Sequence, residues 1–222
     1  MPITIQPHRK LIQRRSLLAL LAVILLSIPV KLIAARLLVW DLDFVPVISR
    51  GRDFLHNGTF PAYGTLSSVA AYNMPLLVWL QIPLLTITKH VPTVLIGTQL
   101  IFNLLATIFL YRIGSRFFNG RIGLAAAALF TFSEIGISSA YTAWAQMLLP
   151  GFFIFTLYNL MQWAYSGRGW FLGGAIFLAT AATMTHFSAI LLYPVILVFG
   201  VITHARWSKR GLTAGIIGSL IL

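Results

Sequence analysis

The stretch TVLIGTQLIFNLLATIFLYRIGSRFFNGR, residues 93–121, decides the fold of this chain. Residues 93–111 contain no charged side chain, and their length matches the roughly 20 residues that an α-helix needs to cross a bilayer. Arginines follow directly, at Arg112, Arg116 and Arg121. Basic residues concentrate in the cytoplasmic loops beside transmembrane helices. The stretch therefore predicts a transmembrane helix that ends in a cytoplasmic turn.

The composition extends this prediction to the whole chain. Hydrophobic residues make up 59% and charged residues 9%, and the mean hydropathy is +0.89. A soluble domain of 222 residues could not bury that much apolar surface, so the excess must face membrane lipids. The net charge of +12 resides in short clusters between the apolar runs, and we therefore expect no nucleic-acid partner. The absence of cysteine excludes disulfides and thiolate metal sites.

The first apolar run resembles a signal peptide in charge and length. Four basic residues precede it: Arg9, Lys10, Arg14 and Arg15. The apolar character of residues 16–30 continues past Lys31 to Val39, however, which is too long for a cleaved signal. We predict an uncleaved first transmembrane helix with a cytoplasmic amino terminus.

Further apolar runs cover 75–88, 93–111, 122–139, 144–164, 169–185, 188–203 and 211 to the end. If all of them crossed, the basic loops would lie outside, against the positive-inside rule. The weakest run is 75–88, which is short and contains Pro75 and Pro83, so we expect it to lie at the outer face. Eleven of the sixteen Lys and Arg residues are then inside. The other five are assigned to the outer side: Lys31, Arg36, Arg50, Arg52 and Lys89.

The predicted fold is an all-α, polytopic transmembrane helix bundle in the plasma (inner) membrane. It has six full spans and a seventh that begins at Gly211 and is cut off at Leu222. Residues 1–222 form a single transmembrane domain, and residues 40–92 form a long outer loop with juxtamembrane helices. Because the seventh run is short, we expect the chain to be an amino-terminal fragment with little activity alone.

Acidic residues cluster in this outer loop. Three of the four acids in the chain, Asp41, Asp43 and Asp53, lie close together just after the first helix. An uncompensated carboxylate is costly in a membrane, so a cluster at its edge is the first candidate for chemistry.

Four segments carry a resemblance to a known family: WDLDFVPVISRGRDFLHNGTFP (40–61), YNMPLLVW (72–79), LYRIGSRFFNGRIGLAAAALFTFS (110–133) and GWFLGGAIFLATAATMTHFSAILLYPVILV (169–198). Together they resemble the amino-terminal half of the polyprenyl-phosphate-dependent glycosyltransferases of the GT-C fold. That group contains protein O-mannosyltransferases, lipid A aminoarabinose transferases and the oligosaccharyltransferase catalytic subunit. The resemblance covers about residues 16–210.

The resemblance implies a reaction. A sugar would move, with inversion, from a polyprenyl-phosphate donor to a lipid, glycan or protein acceptor on the extracytoplasmic face. It places Asp41 at the catalytic aspartate, which acts as general base. Where the family often has a second acid this chain has Leu42, with Asp43 one residue further, so the choice between Asp41 and Asp43 stays open. Glu134 is a possible second acid. No metal and no cofactor are expected.

The leaving phosphate needs cationic donors at the membrane interface. The candidates on the outer side are Arg50, Arg52, Lys89 and His186, although a histidine near a helix end is also a common packing residue. Asp53 is interpreted as a structural partner of Arg50 and Arg52.

Two other classes of protein fit the same hydropathy. A transporter half could line a substrate path with the outer acids, but no internal inverted repeat is visible in the sequence. A non-catalytic membrane scaffold would tolerate the loss of every acid in the outer loop.

Overall fold

The computed structural model describes residues 7–37, 44–66, 72–142, 144–203 and 209–221, and it confirms the all-α prediction. The described α-helices are α1 (Pro7–Ala34), α2 (Phe44–Asn57), α3 (Leu76–Ile87), α4 (Val91–Phe117), α5 (Gly120–Phe132), α6 (Glu134–Tyr141), α7 (Leu149–Ser166), α8 (Gly169–Thr185), α9 (Leu192–Ile202) and α10 (Lys209–Ile221). Short 3₁₀ helices cover Ala35–Leu37, Ala145–Leu148 and Phe187–Leu191. Leu66 and Tyr72 form an isolated antiparallel bridge.

Within the described part of the chain, three helical stretches are long and apolar enough to cross a membrane: Arg15–Ala34, Val91–Phe117 and Ala145–Ser166. The pair α5 and α6 makes a fourth if both helices form one bent span. The remaining apolar helices are shorter, including α3, which has 12 residues. The protein is therefore an integral membrane helix bundle, while the count of six full spans remains a prediction.

The predicted continuous helix over 122–139 is wrong, because the chain bends by 57° between α5 and α6. Ser133 has an extended backbone, with ψ of 162°, and its hydroxyl accepts a hydrogen bond from the backbone N–H of Gly136 at 3.0 Å. The serine thus caps a new helix, as serine does at helix amino termini. Gly136 lies so close to the Phe130 carbonyl that any side chain there would collide with it.

Close backbone approaches connect the neighbouring helices. Asn119 caps α5 by accepting hydrogen bonds from the backbone N–H groups of Arg121 and Ile122. Gly114 of α4 and Gly123 of α5 face each other where no Cβ would fit. Small residues at such contacts allow membrane helices to pack tightly.

The core of the bundle lies around α7 and α8, where Leu148, Trp163 and Leu172 are fully buried. Residues Leu76 to Val78 of α3 belong to the same core, so the 44–87 region is joined to the bundle. Helix α2 packs in turn on α3. A Cβ at Gly51 of α2 would lie only 2.6 Å from Leu85 Cδ1, which shows how closely the two helices approach.

Single-cysteine labelling tests the predicted topology, because the chain has no cysteine of its own. Asn57 at the end of α2 and Phe118 in the α4–α5 turn are both exposed, and neither substitution removes a positive charge. We expect an impermeant maleimide to label Asn57→Cys in intact cells. Phe118→Cys should be labelled only after permeabilisation, because the basic α4–α5 turn is predicted to be cytoplasmic. Labelling of Phe118→Cys from outside would overturn this topology.

Candidate functional site

Asp41 and Asp43, the candidate catalytic acids, lie outside the described residues. They belong to the link between the first helical segment, which is described to Leu37, and α2, which begins at Phe44. The structure describes the segments that follow this link in the chain: α2, residues 58–66 and 72–75 of the loop after it, and α3.

Arg50 ties α2 to the following loop. Its Nη1 donates to the carbonyl oxygen of Gly64 and, at 3.3 Å, to that of Tyr63. The guanidinium lies 4.5 Å from the ring centroid of Tyr63 and 5.7 Å from that of Tyr72. Cation–π contacts of this kind hold a guanidinium in a fixed plane. The sequence did not identify either tyrosine as part of the site.

The loop after α2 is fastened to α3 by backbone and aromatic contacts. Gly64 N–H donates to the Asn73 carbonyl at 2.7 Å, and Asn73 N–H donates to the Thr65 carbonyl at 2.8 Å. The Trp79 indole N–H donates to the Pro61 carbonyl at 3.1 Å, and its ring lies 5.4 Å from that of Phe60. These contacts pack the described loop residues on both sides, 58–66 and 72–75, against each other and against α3.

Arg52 and Lys89, two of the predicted phosphate ligands, come together. Arg52 Nη2 donates to the Lys89 carbonyl at 3.0 Å, which joins α2 to the turn between α3 and α4. Both side chains are exposed. The predicted pairing of Asp53 with the arginines is not what the contacts show, since Arg50 and Arg52 donate to carbonyls and Asp53 is exposed.

His186 lies in the turn between α8 and the 3₁₀ helix that follows it. Its Nδ1 lies 2.8 Å from the Ser188 hydroxyl oxygen and accepts a hydrogen bond from the Ser188 backbone N–H at 3.3 Å. Burial lowers the pKa of His186. Near pH 7 it therefore offers an uncharged N–H donor, where the sequence suggested a cation.

Glu134 is the first residue of α6, directly after the bend, and its side chain is exposed. A carboxylate there faces the partial positive charge of a helix amino terminus. The position fits a polar or water-facing surface within the bundle, and the contacts of the described residues assign no catalytic role to it.

Lys31 does not lie on the outer side of the first helix, as the sequence suggested. It is inside α1 and only 1% exposed. Its Nζ donates to Asn103 Oδ1 and to Thr131 Oγ1, each at 2.6 Å, and so connects α1 to α4 and α5. The sequence signal for this contact was a charge within an otherwise apolar run.

The protein is thus an integral membrane helix bundle. Between α1 and α4 of this bundle, helix α2 carries two arginines, Arg50 and Arg52, that contact the loop after α2 and the α3–α4 turn. The family model described as dolichyl-phosphate-mannose-protein mannosyltransferase matches residues 72–222, and the chain belongs to this family. The protein is accordingly a membrane glycosyltransferase of the GT-C type. Searches of curated proteins and of solved structures give no match.

The matched part runs from the end of the loop through α3 to α10. It contains Lys89, Glu134 and His186, and it begins after Asp41, Asp43, Arg50 and Arg52. The family membership therefore supports the class of activity, and the roles of the individual residues remain proposals.

Proposed function

We propose that this protein transfers a sugar from a polyprenyl-phosphate donor to an acceptor at the extracytoplasmic membrane face, with inversion at the anomeric carbon. Family membership supports glycosyl transfer. The observation that supports this site is helix α2 together with the loop residues that pack against it. In the sequence α2 follows Asp41 and Asp43 directly, and its Arg52 side chain donates to the Lys89 carbonyl.

The proposed reaction assigns one role to each group. A hydroxyl or amine of the acceptor attacks the anomeric carbon while the carbon–oxygen bond to the phosphate breaks. The phosphate leaves with the electron pair, and Asp41 or Asp43 takes the acceptor proton as general base. The polyprenyl chain stays in the bilayer, so binding energy comes from lipid contacts and from the phosphate.

Arg52 and Lys89 are the proposed phosphate ligands, because both are exposed and the Arg52 guanidinium donates to the Lys89 carbonyl across α2 and the α3–α4 turn. Arg50 has a different proposed role. Its guanidinium already donates to two loop carbonyls, so it orients the loop and adds positive charge. His186 is proposed to contribute the Nε2–H as an uncharged donor to a phosphate or sugar oxygen.

A transport function is the second candidate, and the bend between α5 and α6 favours it, since discontinuous helices form ion and substrate sites in transporters. The membership in a glycosyltransferase family favours covalent transfer. The two candidates differ in the product, because a transporter releases the sugar carrier unchanged.

A transfer assay with membranes containing the protein tests the proposal. The family description names dolichyl-phosphate-mannose, so radiolabelled polyprenyl-phosphate-mannose is the first donor to use. We expect label to move to an acceptor, and we expect the product to have the opposite anomeric configuration from the donor. A nucleotide sugar should be inert in the same membranes after polyprenyl-phosphate synthesis is blocked. Transfer from the nucleotide sugar, or retention of configuration, would contradict the proposed reaction.

A further inference from the structure

The end of the bundle opposite the α2 loop carries a second cluster of arginines. Arg112 and Arg116 are four residues apart on α4, so they lie on one face of the helix about one turn from each other. Arg116 Nε donates to Gln162 Oε1 at 3.0 Å, and its guanidinium lies 5.6 Å from the ring centroid of Tyr165. Gln162 and Tyr165 belong to α7, so Arg116 lies over the groove between α4 and α7.

Arg112 follows the same groove one turn earlier. Its guanidinium lies 5.9 Å from the ring centroid of Phe109. The Phe109 ring in turn makes an edge contact with Tyr158 of α7, at 5.1 Å between centroids. We call the surface formed by Arg112, Arg116, Tyr158 and Tyr165 the basic groove.

No acidic side chain of the surrounding helices balances this charge. The four acids of the chain are Asp41, Asp43, Asp53 and Glu134, and none belongs to α4, α5 or α7. Glu134 follows the whole length of α5, about 20 Å from the α4–α5 turn. The guanidiniums are exposed and lie at the end of a membrane-spanning helix, where phospholipid headgroups are found.

The basic groove also differs from an ordinary topology signal. A positive-inside signal needs charge in a loop but no fixed side-chain geometry. Here Gln162, which is buried, holds one edge of the Arg116 guanidinium. The remaining N–H groups keep a defined direction, which suits the oxygens of a phosphate.

We propose that the basic groove binds the phosphate headgroup of an anionic phospholipid. Arg112 and Arg116 donate to the phosphate oxygens, Tyr165 forms the exposed wall, and the acyl chains lie along the apolar faces of α4 and α7. This site is distinct from the proposed donor site. Twenty-five residues of α4 separate Val91, at the α2 loop end, from Arg116, which is about 38 Å along the helix.

Native mass spectrometry of the purified chain tests the proposal. The probes are phosphatidylglycerol and phosphatidylcholine of matched acyl chains, and the variant is Arg112→Gln with Arg116→Gln. Each arginine is proposed to supply charge-assisted hydrogen bonds to the phosphate, so we expect the double variant to lose at least about tenfold in phosphatidylglycerol retention. Phosphatidylcholine retention should not change.

The matched control is Arg121→Gln with Arg168→Gln, which removes the same charge at exposed positions on α5 and before α8. We expect less than about a twofold loss there. Equal losses in the two double variants would show that lipid binding depends on the overall positive charge and not on the basic groove, and would overturn the proposal. Displacement of the lipid by millimolar inorganic phosphate would also overturn it, since the groove would then be a site for free phosphate. If the double variant does not fold, Arg112→Gln alone provides the test, because the contact of the Arg112 guanidinium among the described residues is the ring contact with Phe109, and this variant should still lose about fivefold.

Discussion

Asp41→Asn is expected to lower sugar transfer at least about a hundredfold while leaving expression and membrane insertion unchanged. The reason is chemical: the acceptor must lose a proton as it attacks, and removal of a general base typically costs about 10² to 10⁴ in rate. Asparagine has nearly the same size as aspartate and cannot take the proton. The measurement is transfer from radiolabelled polyprenyl-phosphate-mannose in membranes, normalised to the amount of protein.

Substitutions of the two other aspartates show how the Asp41→Asn result is to be interpreted. Asp43→Asn shows whether the base is shared, because Leu42 occupies the position where a neighbouring acid is common in the family. Asp53→Asn is the matched control, since Asp53 is an exposed residue on α2, and we expect it to change transfer far less. Near-normal activity in Asp41→Asn would remove Asp41 as the base. If Asp43→Asn were equally active, the proposed catalytic role of this loop would lose its main support.

The cationic part of the site was only partly predictable from sequence. Charge and position predicted Arg50, Arg52 and Lys89 as phosphate ligands, which stays a prediction, and the Arg52 side chain donates to the Lys89 carbonyl. Which arginine is free to bind a ligand depends on tertiary contacts. Arg50 meets Tyr63 and the Gly64 carbonyl only because the loop folds back on α2, and residue patterns do not encode that geometry.

The fold, too, was predictable where hydropathy determines it and not where local hydrogen bonds and steric contacts do. Apolar runs located the helices well, and α8 has the predicted bounds of 169 and 185. Hydropathy did not show the bend at Ser133, because both sides of it belong to one apolar run, residues 122–139. The bend results from a hydroxyl cap and from a glycine that allows backbone contact, and these are local hydrogen-bond and steric effects.

Lys31 was misplaced for a related reason. A lysine near the end of an apolar run ordinarily extends its side chain to the membrane surface. In this protein two acceptors on neighbouring helices, Asn103 and Thr131, retain the ammonium inside the bundle. Burial of a charge is costly without such partners, so the contact is specific to this packing.

Asn103→Leu is therefore expected to destabilise the protein strongly, by about 3–4 kcal/mol, because it removes one hydrogen bond to a buried ammonium, worth about 1.5–3 kcal/mol, and two neutral hydrogen bonds of about 0.6 kcal/mol each. Asn103 accepts from Lys31 through Oδ1, and its Nδ2 donates to the Gly136 carbonyl at 2.8 Å and to Ser139 Oγ at 2.9 Å. Leucine has a similar volume but can do neither. The free energy of unfolding can be measured by steric trapping in bicelles.

A comparison with Lys31→Met tests whether the buried charge of Lys31 causes the loss of stability in Asn103→Leu. Methionine removes the charge itself, so it leaves only neutral acceptors without a donor, and we expect a smaller loss of about 1–3 kcal/mol. Combining both changes should then cost clearly less than the sum of the single changes, because Asn103→Leu no longer strands a buried ammonium. Asn159→Leu is the control, since the Asn159 amide donates to Phe155 in its own helix, and hydrogen bonds between neutral groups in membrane proteins average about 0.6 kcal/mol. Additive costs, or equal effects of Asn103→Leu and Asn159→Leu, would show that Lys31 is not held as a charged group.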